Sequence, residues 1–313
     1  MIQDREIWWL LGGVVGVLLI AVIVYRVLDM RSRGAQTPFL LNLQQRIRSW
    51  WIMCAVFALA VGVGQIGTTL LFGLISFFAL REFITLTPTR HADHRALFWV
   101  FFVLAPLQYL FVATDNYGMF TILIPVYAFL LVPARIALSG DATCFLERAA
   151  KIQWGLMICV YCVSHAPALL GLKLRGFEGE NVKILLWFVI VAQLNDVLQY
   201  VWGKAIGKRP IAPTISPNKT WEGFVGGTVS ATIVGTMLWW ATPFLMWQAA
   251  LMALLVTIMG FVGGLTMSAI KRDRGVKDFG ASLGGHGGFL DRIDSICFAA
   301  PVFFHVTKYF FAL

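Results

Sequence analysis

The sequence predicts an all-α, polytopic integral membrane protein of about ten transmembrane helices, with its amino terminus outside. Three observations carry that prediction. Apolar residues make up 59% of the 313-residue chain and charged ones only 13%, against roughly 45–50% and 25% in soluble domains. The apolar residues gather in runs close to the ~20 residues a helix needs to cross a bilayer. The basic residues fall in alternate gaps between those runs. A soluble chain could not cover this much Ile, Leu, Val, Phe and Trp with so few charges. Soluble enzymes, disordered chains and DNA-binding proteins are thereby excluded.

The runs are 7–25, 50–64, 66–80, 96–113, 118–138, 149–172, 182–203, 224–240, 245–270 and 293–312. The first is flanked by Asp4, Arg5 and Glu6 and has no small-residue cleavage site, so it reads as a retained span rather than a signal peptide. The second and third are short and divided only at Gly64-Gln65. A tight helical hairpin is favoured there over one long tilted element. With the amino terminus outside, the cytoplasmic loops are 26–49, 81–95, 139–148, 204–223 and 271–292. These loops and their flanks hold 20 of the 25 basic residues; Arg5, Lys173, Arg175, Lys183 and Lys308 remain on the other side. That asymmetry follows the positive-inside rule. Most of the net charge of +9 therefore orients helices, and no nucleic-acid partner is needed to explain it.

Five cysteines, at 54, 144, 159, 162 and 297, lie in or beside apolar runs. Cys159 and Cys162 read as two small buried hydrophobes on a membrane helix, and the odd count without a spacing framework argues against a disulfide scaffold. His91 and His94 read as members of a solvated loop rather than metal ligands.

Three clusters interrupt the apolar pattern. The first is Asn195–Gly203, where Asp196 lies near the cytoplasmic end of a span; an intramembrane carboxylate is costly and marks a functional candidate. Pairing with a lysine of the next loop is the structural alternative. The second is Ser216-Pro-Asn-Lys219-Thr-Trp-Glu222-Gly223. Ser216 or Asn218 could cap a helix beginning near Thr220, with Glu222 in its first turn. Capping does not explain Lys219, which opposes the helix dipole unless an anion sits there. The third runs from Ser268 to Asp294. It holds Lys271, Arg272, Arg274 and Lys277, then Asp278, the turn Gly284-Gly285-His286-Gly287-Gly288, and Asp291-Arg292-Ile293-Asp294. Glycines let backbone approach a ligand closely. Asp291 and Asp294, three apart at a helix start, share a face. Carboxylates together with substrate phosphates are what Mg²⁺ takes as ligands. A basic loop for anionic lipids would account for the cations but not for the glycines or the paired aspartates.

The third segment resembles, position by position, the signature of the CDP-diacylglycerol synthases, or phosphatidate cytidylyltransferases: S-x-hydrophobic-K-R-x₄-K-D-x-small-x₂-hydrophobic-[PGS]-x-H-G-G-hydrophobic-x-D-R-hydrophobic-D. SPNKTWEG is similar to that family's S-P-x-K-T-x-E-G, and NDVLQYVWGKAIGK to its D-x-x-A-Y-x-x-G-x-x-x-G-K. Gln199 departs where the family has a small residue, and Gly284 stands at a common proline. The resemblance is close over 193–295 and looser from about 50 onward, where it takes in Arg81-Glu82. It divides the chain into an added helix and basic loop (1–49), a helical body (50–192) and a catalytic region (193–313).

The resemblance implies a helical membrane bundle, usually homodimeric, that makes CDP-diacylglycerol and pyrophosphate from CTP and phosphatidic acid with Mg²⁺. The implied metal ligands are Asp278, Asp291 and Asp294. Lys219, Lys271, Arg272 and Lys277 would meet the triphosphate, with Ser216, Gly287 and Gly288. Asp196 and Glu222 would hold a second ion or orient a lysine, and His286 would position substrate. Membrane lipids are the other expected partners. The site is expected to face the cytoplasm from a multi-pass (inner) membrane protein. Competing readings are a paralogue acting on a different lipid phosphate, for which Gln199 leaves room, and a membrane transporter.

Overall fold

The computed structural model describes residues 5–31, 37–282 and 287–313. The turn residues Gly284, Gly285 and His286 lie outside these, as does any test of the role expected for His286. Each of the ten apolar runs lies within or closely overlaps a helical segment: α1 (Arg5–Arg31), α2 (Pro38–Val63), α3 (Gln65–Leu86), α4 (His91–Ala113), α5 (Tyr117–Ala137), α6 (Phe145–Gly171), α7 (Asn181–Ile206), α8 (Trp221–Met237), α9 (Met246–Asp273) and α10 (Leu290–Phe311). Among the described residues, eight are long and apolar enough to cross a membrane. The other two are α8, with 17 residues, and α10, which carries Asp291, Arg292, Asp294, His305 and Lys308.

The helices run past the apolar stretches. Residues expected in the first cytoplasmic loop extend α1 to Arg31 and begin α2 at Pro38. A helix satisfies its own backbone hydrogen bonds, so it can run on past the hydrocarbon region into the loop. The α2–α3 break is the expected hairpin. Gly64 adopts φ +96°, a conformation costly for any residue with a Cβ. The two helices fold back so that the Phe57 and Phe72 rings meet at 6.3 Å. Helices α4, α5 and α6 each contain a π-helical stretch: Val100–Leu104, Leu123–Ala128 and Met157–Cys162. Pro106 follows the first and Pro125 lies within the second, where a missing N–H loosens the helical ladder.

Helices α7 to α10 form the tightest packing, and glycine makes it so. On α8, a Cβ at Gly227 would stand 2.4 Å from the Gln199 side chain of α7, and one at Gly235 would stand 2.7 Å from Ala253 of α9. On α9, a Cβ at Gly263 would meet the Asp294 carbonyl of α10 at 2.6 Å. Without a hydrophobic drive between helices in lipid, such small-residue seams and interhelical hydrogen bonds hold a bundle. One such bond runs from the buried Trp187 Nε1 to the Gly235 carbonyl at 2.9 Å.

Between α7 and α8 lies a two-stranded antiparallel hairpin, β1 (Pro210–Ala212) with β2 (Ser216–Thr220). This corrects the sequence expectation at two points. Ser216 and Asn218 are strand residues, and the cap of α8 is Thr220, whose Oγ1 accepts from Gly223 N at 3.1 Å.

Candidate active site

The carboxyl ends of α3, α7 and α9, the hairpin and the amino end of α10 meet at one end of the bundle. Asp291, in the first turn of α10, is the best-anchored group there. Its Oδ1 accepts Lys271 Nζ at 2.8 Å. Its Oδ2 accepts the backbone N–H of Phe279 at 2.8 Å and of Gly288 at 3.0 Å. The Lys271 and Asp291 side chains are 13% and 4% exposed. Both are committed to each other and to the fold of the turn, so Lys271 is a paired cation rather than one held ready for phosphate.

Lys219 is different. Alternation along β2 turns it away from the face that carries Ser216, Asn218 and Thr220. Its Nζ lies 5.2 Å from the centroid of Phe261 on α9. It also lies 2.8 Å from the point where a Cβ on Gly264 would stand. Asp294 Oδ2 is 3.6 Å from that same point, while Asp294 Oδ1 accepts Ser295 N at 2.8 Å. Gly264 is thus the gap that admits both groups. Lys219 forms no ion pair among the described residues. Burial pushes its ammonium below the usual lysine range, although Asp294 and Asp196 act in the opposite sense. Asp196 of α7, half-buried, is within electrostatic reach of Asp294 and Lys219.

The remaining expected residues serve other ends. Arg272 donates to the carbonyls of Ile215 (3.1 Å) and Val276 (2.9 Å), so it ties the hairpin to the end of α9. Glu222 accepts the backbone N–H groups of Lys208 (3.1 Å) and Arg209 (3.2 Å), whose donation lowers its carboxyl. It closes the entry to the hairpin and, among the described residues, meets no lysine side chain. Lys277 and Asp278 are exposed at the rim, with the Asp278 Cβ near Gly287. Gly288 gives its N–H to Asp291, and a Cβ on it would stand 2.2 Å from a Glu82 oxygen. Its lack of a side chain is therefore used by the protein itself.

The expected metal set of Asp278, Asp291 and Asp294 is not assembled. Among the described residues, no three His, Cys, Asp or Glu side chains are gathered as ready-made ligands, and both oxygens of Asp291 are occupied. Mg²⁺ does not need such a cage, since it keeps waters and takes one or two carboxylates with substrate phosphates. Asp294 Oδ2 and Asp196, near the half-buried Lys219, fit that requirement.

Glu82 of α3 is the residue whose part was not readable. It is buried, and it accepts Ser282 Oγ at 2.8 Å and Leu290 N at 3.0 Å. The signal available was a lone Glu at the end of an apolar run, 200 residues from its partners. Gln199, by contrast, bonds Asn195 Oδ1 at 3.0 Å and packs over Gly227 in the α7–α8 seam. The cysteines are unpaired, with Cys159 and Cys297 buried, and His91 and His94 are exposed.

This chain matches the cytidylyltransferase family over residues 44–310. It is 38% identical over 306 residues to a protein of Escherichia coli K12 named "Uncharacterized protein YnbB", covering 96% of this chain and 97% of that one. It is 30% identical over 278 residues to the phosphatidate cytidylyltransferase of Bacillus subtilis, covering 87% of this chain and 100% of that one. A third relative, the phosphatidate cytidylyltransferase of Staphylococcus saprophyticus, is 39% identical over 157 residues, 49% of this chain and 60% of that one. A bundle of apolar helices with a lysine and carboxylates gathered at one end, matched across most of its length, belongs to the cytidylyltransferase family.

Proposed function

We propose that this membrane protein transfers the cytidylyl group of CTP to phosphatidic acid, giving CDP-diacylglycerol and pyrophosphate. The observation that carries the reading is Lys219, half-buried beside Asp294 with no ion pair among the described residues, in a chain aligned with a phosphatidate cytidylyltransferase over 87% of its length. A half-buried ammonium without a direct ion pair is only partly compensated by Asp294 and Asp196, and a polyphosphate would complete that compensation.

In the reaction a phosphatidate oxygen attacks the α-phosphorus of CTP. The bond from that phosphorus to the bridging oxygen breaks, and pyrophosphate leaves with its electrons. A phosphomonoester is largely ionised near neutral pH, so no strong base is required. What the protein must supply is orientation and charge stabilisation for the leaving group. Lys219 would lie against the triphosphate. Lys271, clamped by Asp291, would hold the signature turn and add positive potential. Arg272 would fix the hairpin that carries Lys219. When bound, Mg²⁺ would neutralise phosphate charge and template the two substrates; Asp294 and Asp196 would hold it. Basic loops at this end support a cytoplasmic-facing site, where CTP is available, and a lipid headgroup at the membrane interface would reach it from between the surrounding helices. We also propose that the assembly is a homodimer, as the sequence resemblance implies.

Pyrophosphate release from the detergent-purified protein tests this reading. Release should require CTP and phosphatidate together and should stop in Asp294→Asn. Equal release without any lipid acceptor would contradict it. Gln199 lies in a helix seam rather than at the site, so it offers no support for a different acceptor, and family membership removes the transporter reading.

A further inference from the structure

Glu82 has contacts that the proposed chemistry does not use. The residue is 8% exposed near the end of α3. Its Oε1 accepts the Ser282 hydroxyl and its Oε2 the Leu290 N–H. Gly280 and Gly288 are pressed onto the same carboxylate: a Cβ on either would stand 2.6 or 2.2 Å from a Glu82 oxygen. These four contacts lie on both sides of the glycine turn and on the first residue of α10.

Helix α10 needs an outside partner there. Its N-cap is Phe289, which has no side-chain cap bond, so its leading N–H groups require acceptors from elsewhere. Glu82 covers Leu290 N, the first of these, from another helix, while Asp291 turns back to Gly288 N, just ahead of the cap. The positive end of the α10 dipole favours a carboxylate in that position. Glu82 forms no ion pair among the described residues, so its charge is balanced by backbone and hydroxyl donors rather than by a cation. The first N–H of α10 is therefore already answered by a carboxylate of the protein itself.

We propose that Glu82 is a positioning residue of the cytidylyl-transfer site: it caps α10 in trans and pins both ends of the signature turn to α3. Pinning there sets Asp291 and, one turn on, Asp294 in register with Lys219. The proposal rests on the function inferred above.

The test uses the full-length protein with Glu82→Gln, Glu82→Ala and Ser282→Ala. Two quantities are read: amide hydrogen exchange over residues 287–291, and steady-state kinetics with CTP and phosphatidate. Glutamine keeps an acceptor for Leu290 N–H and a partner for Ser282, so Glu82→Gln should stay within a few-fold of wild type in both. Glu82→Ala should exchange about 10-fold faster and lose about 10- to 100-fold in kcat/KM for CTP, with KM for the lipid unchanged. Ser282→Ala, which removes one anchor, should move both quantities about 3-fold in the same direction. Wild-type exchange in Glu82→Ala, or wild-type CTP kinetics despite faster exchange, would overturn the proposal. If Glu82→Ala does not fold, unchanged exchange and kinetics in Ser282→Ala would overturn it equally. The exchange measurement needs no turnover. A wild-type protein that made no CDP-lipid would sink the proposed reaction while leaving the pinning by Glu82 separately decided.

Discussion

Asp291 and Asp294 are three residues apart in the same helix turn, yet they do different work. Asp291 has both oxygens bound inside the protein, while Asp294 presents one oxygen toward Lys219. Asp291→Asn should therefore lower the thermal midpoint as well as activity, because Lys271 or a backbone donor is left unpaired at a cost of about 1–3 kcal/mol. Asp294→Asn should leave the midpoint near wild type and reduce kcat by about 100-fold or more. Thermal unfolding beside turnover separates the two. Lys219 has a pH signature. Its ammonium is held below the ordinary lysine range by burial, so its charge is present at low pH and is lost as pH rises through that lowered value. The expected profile of kcat/KM for CTP falls on the alkaline side below the usual lysine range. Lys219→Arg should move that fall to higher pH while lowering the plateau, since the gap over Gly264 fits an ammonium better than a guanidinium. At this scale the sequence was informative about which polar residues matter, because they stand out against apolar surroundings. It was silent on pairing. Nothing local says that Lys271 is spent on Asp291, that Arg272 holds a carbonyl, or that Glu82 reaches a turn 200 residues away.

At the scale of elements, the hairpin and the glycine seams position the site. Arg272 joins the end of α9 to the hairpin through Ile215, so Arg272→Gln should raise KM for CTP a few-fold without destabilising the bundle. Gly264→Ala should be worse than its size suggests, since the new methyl would stand 2.8 Å from Lys219 Nζ. A second clasp joins the first turns of α4 and α6 to the loop before α6. Arg148 donates to Asp93 at 3.0 Å, with the two side chains 4% and 0% exposed, and also pairs with Asp141 at 3.1 Å. Arg148→Ala leaves the buried Asp93 carboxylate with the Arg90 backbone N–H but no cation, which should cost about 3–5 kcal/mol in thermal or denaturant unfolding. Helix positions were legible from apolar run length. Helix ends and the hairpin were not, because hydrogen bonding rather than hydropathy decides where a helix stops outside the bilayer.

For the whole molecule, the apolar excess and its runs gave the all-helical membrane architecture, and the breaks in those runs gave the site. Helix α1 lies ahead of the family match, which begins at residue 44. The alignment with the Escherichia coli protein covers 96% of the chain, which leaves too little out to omit the 27 residues of α1. It is tied to the bundle by Glu6, which pairs with the buried Lys183 of α7. Its removal should lower the thermal midpoint but leave cytidylyl transfer measurable. Purified protein in detergent, given labelled CTP and a panel of lipid phosphates with and without Mg²⁺, should form CDP-diacylglycerol from phosphatidate only when Mg²⁺ is present. No CDP-lipid from phosphatidate, with product from another lipid phosphate, would contradict it.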